Sequence, residues 1–395
     1  MQGLDQIFVN GKQWLIAFLP DTLQPFASIL LVIAAIFGVF VTLFAVTTIL
    51  ERKILGRIQN RFGPNRVGPF GFLQPAADGI KMLTKEDIVP RGADKIIHFL
   101  APLALIIPVA LALAVIPYGR NMAPVEFDAA LLFFFAVSAG TELSVFMAGW
   151  SSRNKYSLIG AMRGIAQMIS YEIPLVLSTV AVIMIVGSLS LVKIVEAQSG
   201  FAFGFVPGWH VFTPWGFAGF VLFMIAATAE SNRAPFDLPE AESELIAGYL
   251  TEYSGFKYAL FFMGEYWGMF AISGLAVTLF LGGWNAPLPF LQFVPSWIWF
   301  FTKLVTIIFF FIWLRGTLPR LRLDQLMNFA WKFLLPLALV NIVVAAIWHF
   351  TKTWHIPGAL GLRWILCAVL LAIPFVGLGR GLSKVRGKRV YQFAE

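Results

Sequence analysis

Cysteine and histidine are nearly absent from this chain. A single cysteine, Cys367, can neither close an internal disulfide nor supply a cluster site. The four histidines (His98, His210, His349, His355) are scattered without ligand-like spacing, so no metal site is expected here. No G-x-G-x-x-G and no G-x-x-x-x-G-K-[ST] occurs, which removes the common phosphate-cradling loops. Any redox chemistry would therefore need its metals and nucleotides on partner chains. Charge is scarce as well. Only 13% of residues are Asp, Glu, Lys or Arg, about half the share of a soluble domain. There is also no internal repeat, which speaks against a self-sufficient transporter built from paired halves.

What the chain has instead is apolar length. Hydrophobic residues make up 59% of it and the mean hydropathy is +0.80. Runs at about 26–50, 97–118, 127–150, 163–188, 215–232, 256–282, 296–315, 330–350 and 361–379 each approach or pass the ~20 residues that cross a bilayer as a helix. Prolines 102, 108, 174, 336 and 374 fall inside these runs, where neighbouring helices can satisfy the freed carbonyls. Trp, Tyr and Phe gather at their ends, at headgroup level. The first twenty residues lack the basic start and small-residue end of a signal peptide. The expected fold is an all-α polytopic membrane protein, residues 1–395 as one integral membrane domain with about nine transmembrane helices.

Lys and Arg set its orientation. With the N-terminus outside, 23 of the 29 basic residues fall on the inner side and six (Lys12, Arg120, Lys193, Lys303, Lys352, Arg363) on the outer. The positive-inside rule then places the C-terminal tail and the long loops in the cytoplasm of a bacterial cell, the chain crossing its inner membrane. The net charge of +8 reflects this bias, so nucleic acid is not an expected partner, whereas membrane lipid is.

The first inner loop, 51–95, is long and patterned. Gly63, Pro64, Gly68, Pro69 and Gly71 imply defined turns. From Gln74 to Thr84, Ala76, Ile80 and Leu83 share one side and Asp78, Lys81 and Lys85 another, the pattern of a short amphipathic helix lying in the membrane surface. Glu51 beside Arg52 and Lys53 at a span end, followed by a Gly-Pro-Asn-Arg turn with Arg61 and Arg66, suggests a chamber wall. Phe62, Phe70 and Phe72 would give it apolar surface for a ring-shaped or isoprenoid ligand. The alternative for these basic residues is headgroup contact alone.

Acidic residues are concentrated in one place. Of 21 in the chain, six lie in the loop 230–255 and its edges: Glu230, Asp237, Glu240, Glu242, Glu244 and Glu252. Asp237-Leu-Pro-Glu240 fits a helix-capping box, which explains two of them. Three more carboxylates, Glu142, Glu172 and Glu265, sit inside spans at expected depths of roughly 12, 13 and 13 Å below the inner surface. Such groups cost about 2.5–3.5 kcal/mol each and usually face a bundle interior or a water path. Several at one level, leading into an acidic loop, point to a proton relay, although carboxylates serve Na⁺ as well as H⁺.

Three long, charge-bearing runs carry a family resemblance: ERKILGRIQNRFGPNRVGPFGFLQPAADGIKML (51–83), GWSSRNKYSLIGAMRGIAQMISYEIP (149–174) and AESNRAPFDLPEAESELIAGYLTEYSGFKYALFFMGEY (229–266). Over about residues 20–350 the chain resembles the H subunit of the respiratory NADH:quinone oxidoreductase, complex I (the NADH dehydrogenase subunit 1 family). The resemblance implies a membrane anchor at the heel of that complex, forming much of a quinone chamber and coupling quinone reduction to proton movement. By similarity the relay carboxylates fall on Glu172, Glu230, Asp237, Glu240, Glu242, Glu244, Glu252 and Glu265, with Glu142 added from its depth. Chamber and loop charges fall on Glu51, Arg52, Arg61, Asp78 and Arg233. The resemblance implies a quinone (ubiquinone or menaquinone) as substrate. It also implies FMN and iron–sulfur clusters on partner subunits, and contact with other membrane subunits and with the peripheral arm. A membrane component of a related complex, such as a membrane-bound hydrogenase, is the alternative. The GPNRVGP loop favours quinone. The span at 361–379 and the basic tail to 395 follow the common core and receive no family role.

Overall fold

A computed structural model describes residues 5–202, 205–238, 247–351 and 359–384. The first helix is α1 (Ile7–Ile16), and the first span is α2 (Gln24–Ile58). The surface helix α3 (Gln74–Thr84) and the span α4 (Lys95–Ala114) follow. Helices α5 (Ala130–Ser138) and α6 (Gly140–Ser151) together make one span, and α7 (Lys155–Val186) the next. A short α8 (Leu191–Glu196) leads to two-residue strands, β1 (Phe201–Ala202) and β2 (Val206–Pro207), paired antiparallel with Phe201 opposite Pro207. Then come α9 (Pro214–Glu230), α10 (Gly255–Phe280) and α11 (Ser296–Thr317). Helix α12 (Leu323–Phe329) passes through a π turn at Ala330–Leu334 into α13 (Leu335–Phe350), and α14 (Ala359–Lys384) follows.

Among the described residues eight helices are long and apolar enough to cross a membrane. Helix α9, with 17 residues, is a shorter ninth at the lower limit for a span. The chain is thus an all-α polytopic membrane protein. The amphipathic helix falls where the pattern puts it, and Ile80 and Leu83 are left 63% and 66% exposed, an unpartnered apolar face.

Two span ends differ from the sequence expectation. Helix α2 runs on to Ile58 and α7 starts at Lys155, because the apolar stretch marks lipid contact and not the limit of the helix. Glu, Arg, Lys and Leu in these polar turns are good helix formers. Asn154 caps α7, accepting from the Tyr156 N–H at 3.0 Å. Glu172 consequently lies about 26 Å along its helix, against about 14 Å for Glu142 from the end of α6.

The interior is built around α10. In its most apolar window 72% of residues are buried, against 11% for α2 and 6% for α14, which lie on the outside of the bundle. Close approach elsewhere depends on missing side chains. A Cβ on Gly160 of α7 would come within 2.9 Å of the Gly248 Cα, so glycine here lets the segment before α10 lie directly on α7. Pro336 has no N–H for the fourth carbonyl before it, and the helix widens into the π turn just ahead of it.

At the other end of α10 the polar groups form a second framework. Gln198 accepts from the N–H groups of His210 (3.2 Å) and Gly282 (3.1 Å) and donates to the carbonyl of Thr278 (2.9 Å). Lys303, grouped by sequence with the outer charges, lies inside α11. Its ammonium donates to the carbonyls of Leu281, Gly283 and Asn285 at 2.7, 2.8 and 2.7 Å and sits 4.0 Å from the Trp209 ring. A cation at a helix C-terminus meets the negative end of its dipole.

His210 donates from Nδ1 to the Leu279 carbonyl at 2.8 Å. Burial pushes its imidazole from 6.5 down to about 4, with that hydrogen bond opposing. The unfolded chain therefore takes up a proton first as pH falls, and the folded state loses stability between about 6.5 and 4. The loss amounts to about 3 kcal/mol at most. The thermal midpoint of the detergent-solubilised protein should fall through this window, and His210→Gln should fall less steeply. Parallel curves would refute the assignment.

Candidate functional site

The most heavily paired buried charge is Glu51, 4% exposed near the end of α2. Its carboxylate accepts from Arg315 Nη1 at the end of α11, from the Tyr266 hydroxyl of α10 and, at 3.4 Å, from Arg233 Nη1 in the segment after α9. The Arg233 guanidinium also lies over the Tyr266 ring, 4.0 Å from its centroid. Burial opposes the charge on Arg233, but Tyr266, Glu51 and Glu265 around it raise its pKa above the ordinary arginine range. Four separate stretches of chain meet on one carboxylate.

This corrects the expected pairing of Glu51 with Arg52 and Lys53. Because α2 continues, adjacent residues point about 100° apart and cannot share a partner. Arg52 instead bonds Asp78 of α3 at 2.6 Å, and Gln74 donates to the other Asp78 oxygen at 2.9 Å. Lys53 donates to the Phe70 carbonyl at 2.6 Å and lies 4.6 Å from the Phe72 ring. These bonds fold the loop back on α2. Gly71, at φ +77° with the Pro64 carbonyl oxygen crowding the place where a Cβ would stand, makes the turn possible. Phe62, Phe70 and Phe72 remain 77%, 75% and 57% exposed. Arg61 is exposed and donates to Gln59 at 2.7 Å, away from Glu51.

The carboxylates sort into distinct surroundings. Glu230 is buried at the end of α9, within electrostatic reach of Glu142 and Glu172. A cavity of about 60 Å³ joins it to Glu265, with Ser138, Thr141, Asn232 and Tyr249 also in the wall. The Tyr249 hydroxyl donates to Glu265 at 2.9 Å. The wall is mostly apolar, but the space is large enough for water and these side chains give it polar partners. Gln167 of α7 fixes the approach, donating to the carbonyls of Ala229 (2.7 Å) and Phe236 (2.6 Å). Asp237, 7% exposed, bonds Arg320 at 2.8 Å. Glu252 accepts from Asn154 Nδ2 at 2.7 Å, which ties the segment before α10 to the start of α7. Glu240, Glu242, Glu244 and the helix that Asp237 would cap lie outside the described residues.

Residues 31–346 match the family model described as NADH dehydrogenase. The chain is 51% identical over 318 residues to the NADH-quinone oxidoreductase H subunit of Dehalococcoides mccartyi (strain CBDB1), covering 80% of this chain and 86% of the relative. It is 50% identical over 321 residues to the H 1 subunit of Geobacter metallireducens, covering 79% and 93%. With the H subunit of Bacillus mycoides it shares 51% over 298 residues, covering 75% and 86%. The chain belongs to the NADH-quinone oxidoreductase H-subunit family. Helix α14 lies beyond the residues that match the NADH dehydrogenase model.

Three residues around the site of this NADH-quinone oxidoreductase family member were missed from sequence: Tyr266, Arg315 and Arg320. The signal for the arginines was present, since RGTLPRLRLDQ (315–325) stands out as a basic strip at the end of a span. Nothing local pairs that strip with Glu51 or Asp237. Removing the Glu51 charge should leave the buried Arg233 facing the half-exposed Arg315 with no carboxylate between them. We expect Glu51→Gln to cost about 3 kcal/mol and Tyr266→Phe, which keeps the ring beneath Arg233, about 2 kcal/mol or less. Thermal unfolding of the solubilised protein checks the order, and a larger loss in Tyr266→Phe would contradict it.

Proposed function

We propose that this chain, a membrane subunit of an NADH-quinone oxidoreductase, forms much of the quinone-binding chamber of its complex and couples quinone reduction to proton translocation. The observation that carries this reading is Arg233, which bonds Glu51 at 3.4 Å and lies within electrostatic reach of Glu265, a wall residue of the cavity that Glu265 shares with Glu230. One guanidinium therefore feels the charge of both Glu51 and Glu265.

The chamber reading assigns the loop 51–95 and the segment after α9 to opposite walls. Glu51, Arg52, Asp78 and Arg233 supply its fixed charges, Arg61 lies at its mouth, and Phe62, Phe70 and Phe72 supply apolar surface. Supporting it are the bonds that fold the loop on α2 and the exposed aromatic rings. In this reading no side chain of the chain is a redox centre. The chain binds and orients quinone and holds charge beside it, while FMN and iron–sulfur clusters belong to partner subunits of the peripheral arm.

The relay reading runs from the chamber through Arg233 to Glu230 and Glu265, then to Glu142 and Glu172, with Asp237, Glu240, Glu242, Glu244 and Glu252 in and around the acidic loop. A charge change on quinone reduction alters the field at Arg233, and that field acts on the carboxyls beyond it. Residues 1–395 form one integral membrane unit, multi-pass in a bacterial inner membrane. Its N-terminus is outside and its basic loops and tail are cytoplasmic, as the Lys and Arg distribution supports.

Two experiments test the two halves. A photoreactive quinone added to the intact complex should label peptides within 51–85 or 230–245, and label confined to partner subunits would remove the chamber. Glu230→Gln in the assembled complex, reconstituted in vesicles, should abolish proton movement driven by NADH oxidation. An unchanged ratio of protons moved to electrons transferred would sink the relay.

A further inference from the structure

The side chains of the first helix, α1, sort into three stripes. At about 100° per residue Val9, Lys12 and Ile16 share one side, and all three are half-buried against the rest of the chain. Asn10 and Gln13 are exposed, on a stripe centred roughly 100° to one side of these. Ile7, Phe8, Trp14 and Leu15 make the third stripe, centred roughly 130° to the other side. They are exposed although apolar, Trp14 by 64%, and Phe18 just past the helix end is 70% exposed.

Both ends of α1 are fastened where spans begin. Asp5 accepts from the Ser296 N–H at 2.7 Å and from the Ser296 hydroxyl at 2.5 Å, at the first residue of α11. Phe8 meets Trp297 of α11 edge-on, with ring centroids 5.3 Å apart. At the other end Gln24, the first residue of α2, donates to the Leu19 carbonyl at 3.2 Å. Spans α2 and α11 run parallel, since their far ends meet where Arg315 bonds Glu51. Their starts therefore lie on the same side of the membrane, with α1 reaching from one to the other. Its ten residues rise about 15 Å, half of the roughly 30 Å that a span must cross. The helix lies along the membrane surface.

A helix lying there has the bundle at its side, water above it and the bilayer beneath. The half-buried, polar and apolar stripes match these three surroundings in order. The chemistry of the apolar stripe chooses between lipid and a partner's span. Packing between spans favours small residues that let backbones approach, whereas this stripe presents Phe, Trp, Leu and Ile, the side chains of helices that lie in the interface. Bulky exposure continues on either side of it. Phe26 at the start of α2 is 67% exposed, and Phe290 and Phe293, just before α11, are 70% and 61% exposed.

We propose that α1 is an interfacial helix, its Ile7–Leu15 stripe seated at the boundary of headgroups and acyl chains, roughly 5–10 Å into the leaflet at which α2 and α11 begin. That leaflet is the outer one in the orientation proposed from Lys and Arg. The stripe carries no charge, and Lys12 lies on the side turned to the bundle, so the occupant is phospholipid without regard to headgroup charge. The proposal rests on α2 and α11 as spans and not on the quinone chamber or the relay.

The test uses the intact complex in phosphatidylcholine vesicles that contain a trace of photoreactive phosphatidylcholine. One probe carries a diazirine high on an acyl chain, beside the glycerol, and a second carries it at the chain end. The peptide spanning residues 7–19 should take severalfold more label from the shallow probe than from the deep one, relative to the same ratio over the spanning peptides of the complex. A shallow phosphatidylglycerol probe should label it equally. Trp14→Gln with Phe18→Gln should lower shallow labelling severalfold, and Asn10→Ala with Gln13→Ala should retain it. Deep labelling as strong as shallow would overturn the proposal by placing the stripe in the hydrocarbon core. So would absence of label from both probes, which would mean that water or a partner chain covers the stripe, or a severalfold preference for phosphatidylglycerol. Because the depth ratio is read on the unsubstituted complex, the outcome does not depend on the variants assembling.

Discussion

Everything near the proposed site depends on one buried carboxylate and the two arginines that meet it. Glu51 comes from the first span, Arg233 from the segment after α9, Tyr266 from α10 and Arg315 from the end of α11. A charge in such a place is tolerated only when paired and hydrogen-bonded, so each member holds the others in position. Burying ions also costs solvation, and an apolar cluster of similar volume could serve packing as well. What an apolar cluster could not do is place a fixed field across four chain segments. That field, and not packing, is what distinguishes the cluster from a staple.

The cluster acts through α10. That helix is the most enclosed of the spans and carries Tyr266 beside Glu265, so one turn presents the hydroxyl to Glu51 and the carboxylate to the cavity. Rigidity on this side is matched at the opposite end of α10 by Lys303 and Gln198, which close its last carbonyls. Site geometry held on enclosed helices is more precise than geometry held on loops. The loop 51–95 is secured differently, by Arg52–Asp78 and Lys53–Phe70, and presents aromatic rings outward.

Much of this architecture was legible in the residues. Hydropathy located the eight long apolar helices found among the described residues and the shorter α9, because lipid demands long apolar helices, and the period of Ala76, Ile80 and Leu83 marked the helix α3 with its limits. Helix ends were less legible, since Glu51–Ile58 and Lys155–Met162 are polar yet helical. Partners were least legible. Glu51 and Arg315 are joined across 264 positions, Asp237 and Arg320 across 83. Composition and period carry no information about contacts of that kind.

The acidic window itself changes meaning once its members are placed. In sequence it is a single knot, but Glu252 spends its charge on the cap of α7, Asp237 on Arg320, and Glu230 on the cavity with Glu265. Among the described residues, these three acids of the window thereby have separate partners. The carboxylates that do meet come from different helices: Glu142 from α6, Glu172 from α7 and Glu230 from α9. The relay proposed above would pass between side chains held on these separate helices. In the proposed relay the window then supplies part of a set of carboxyls drawn from several helices.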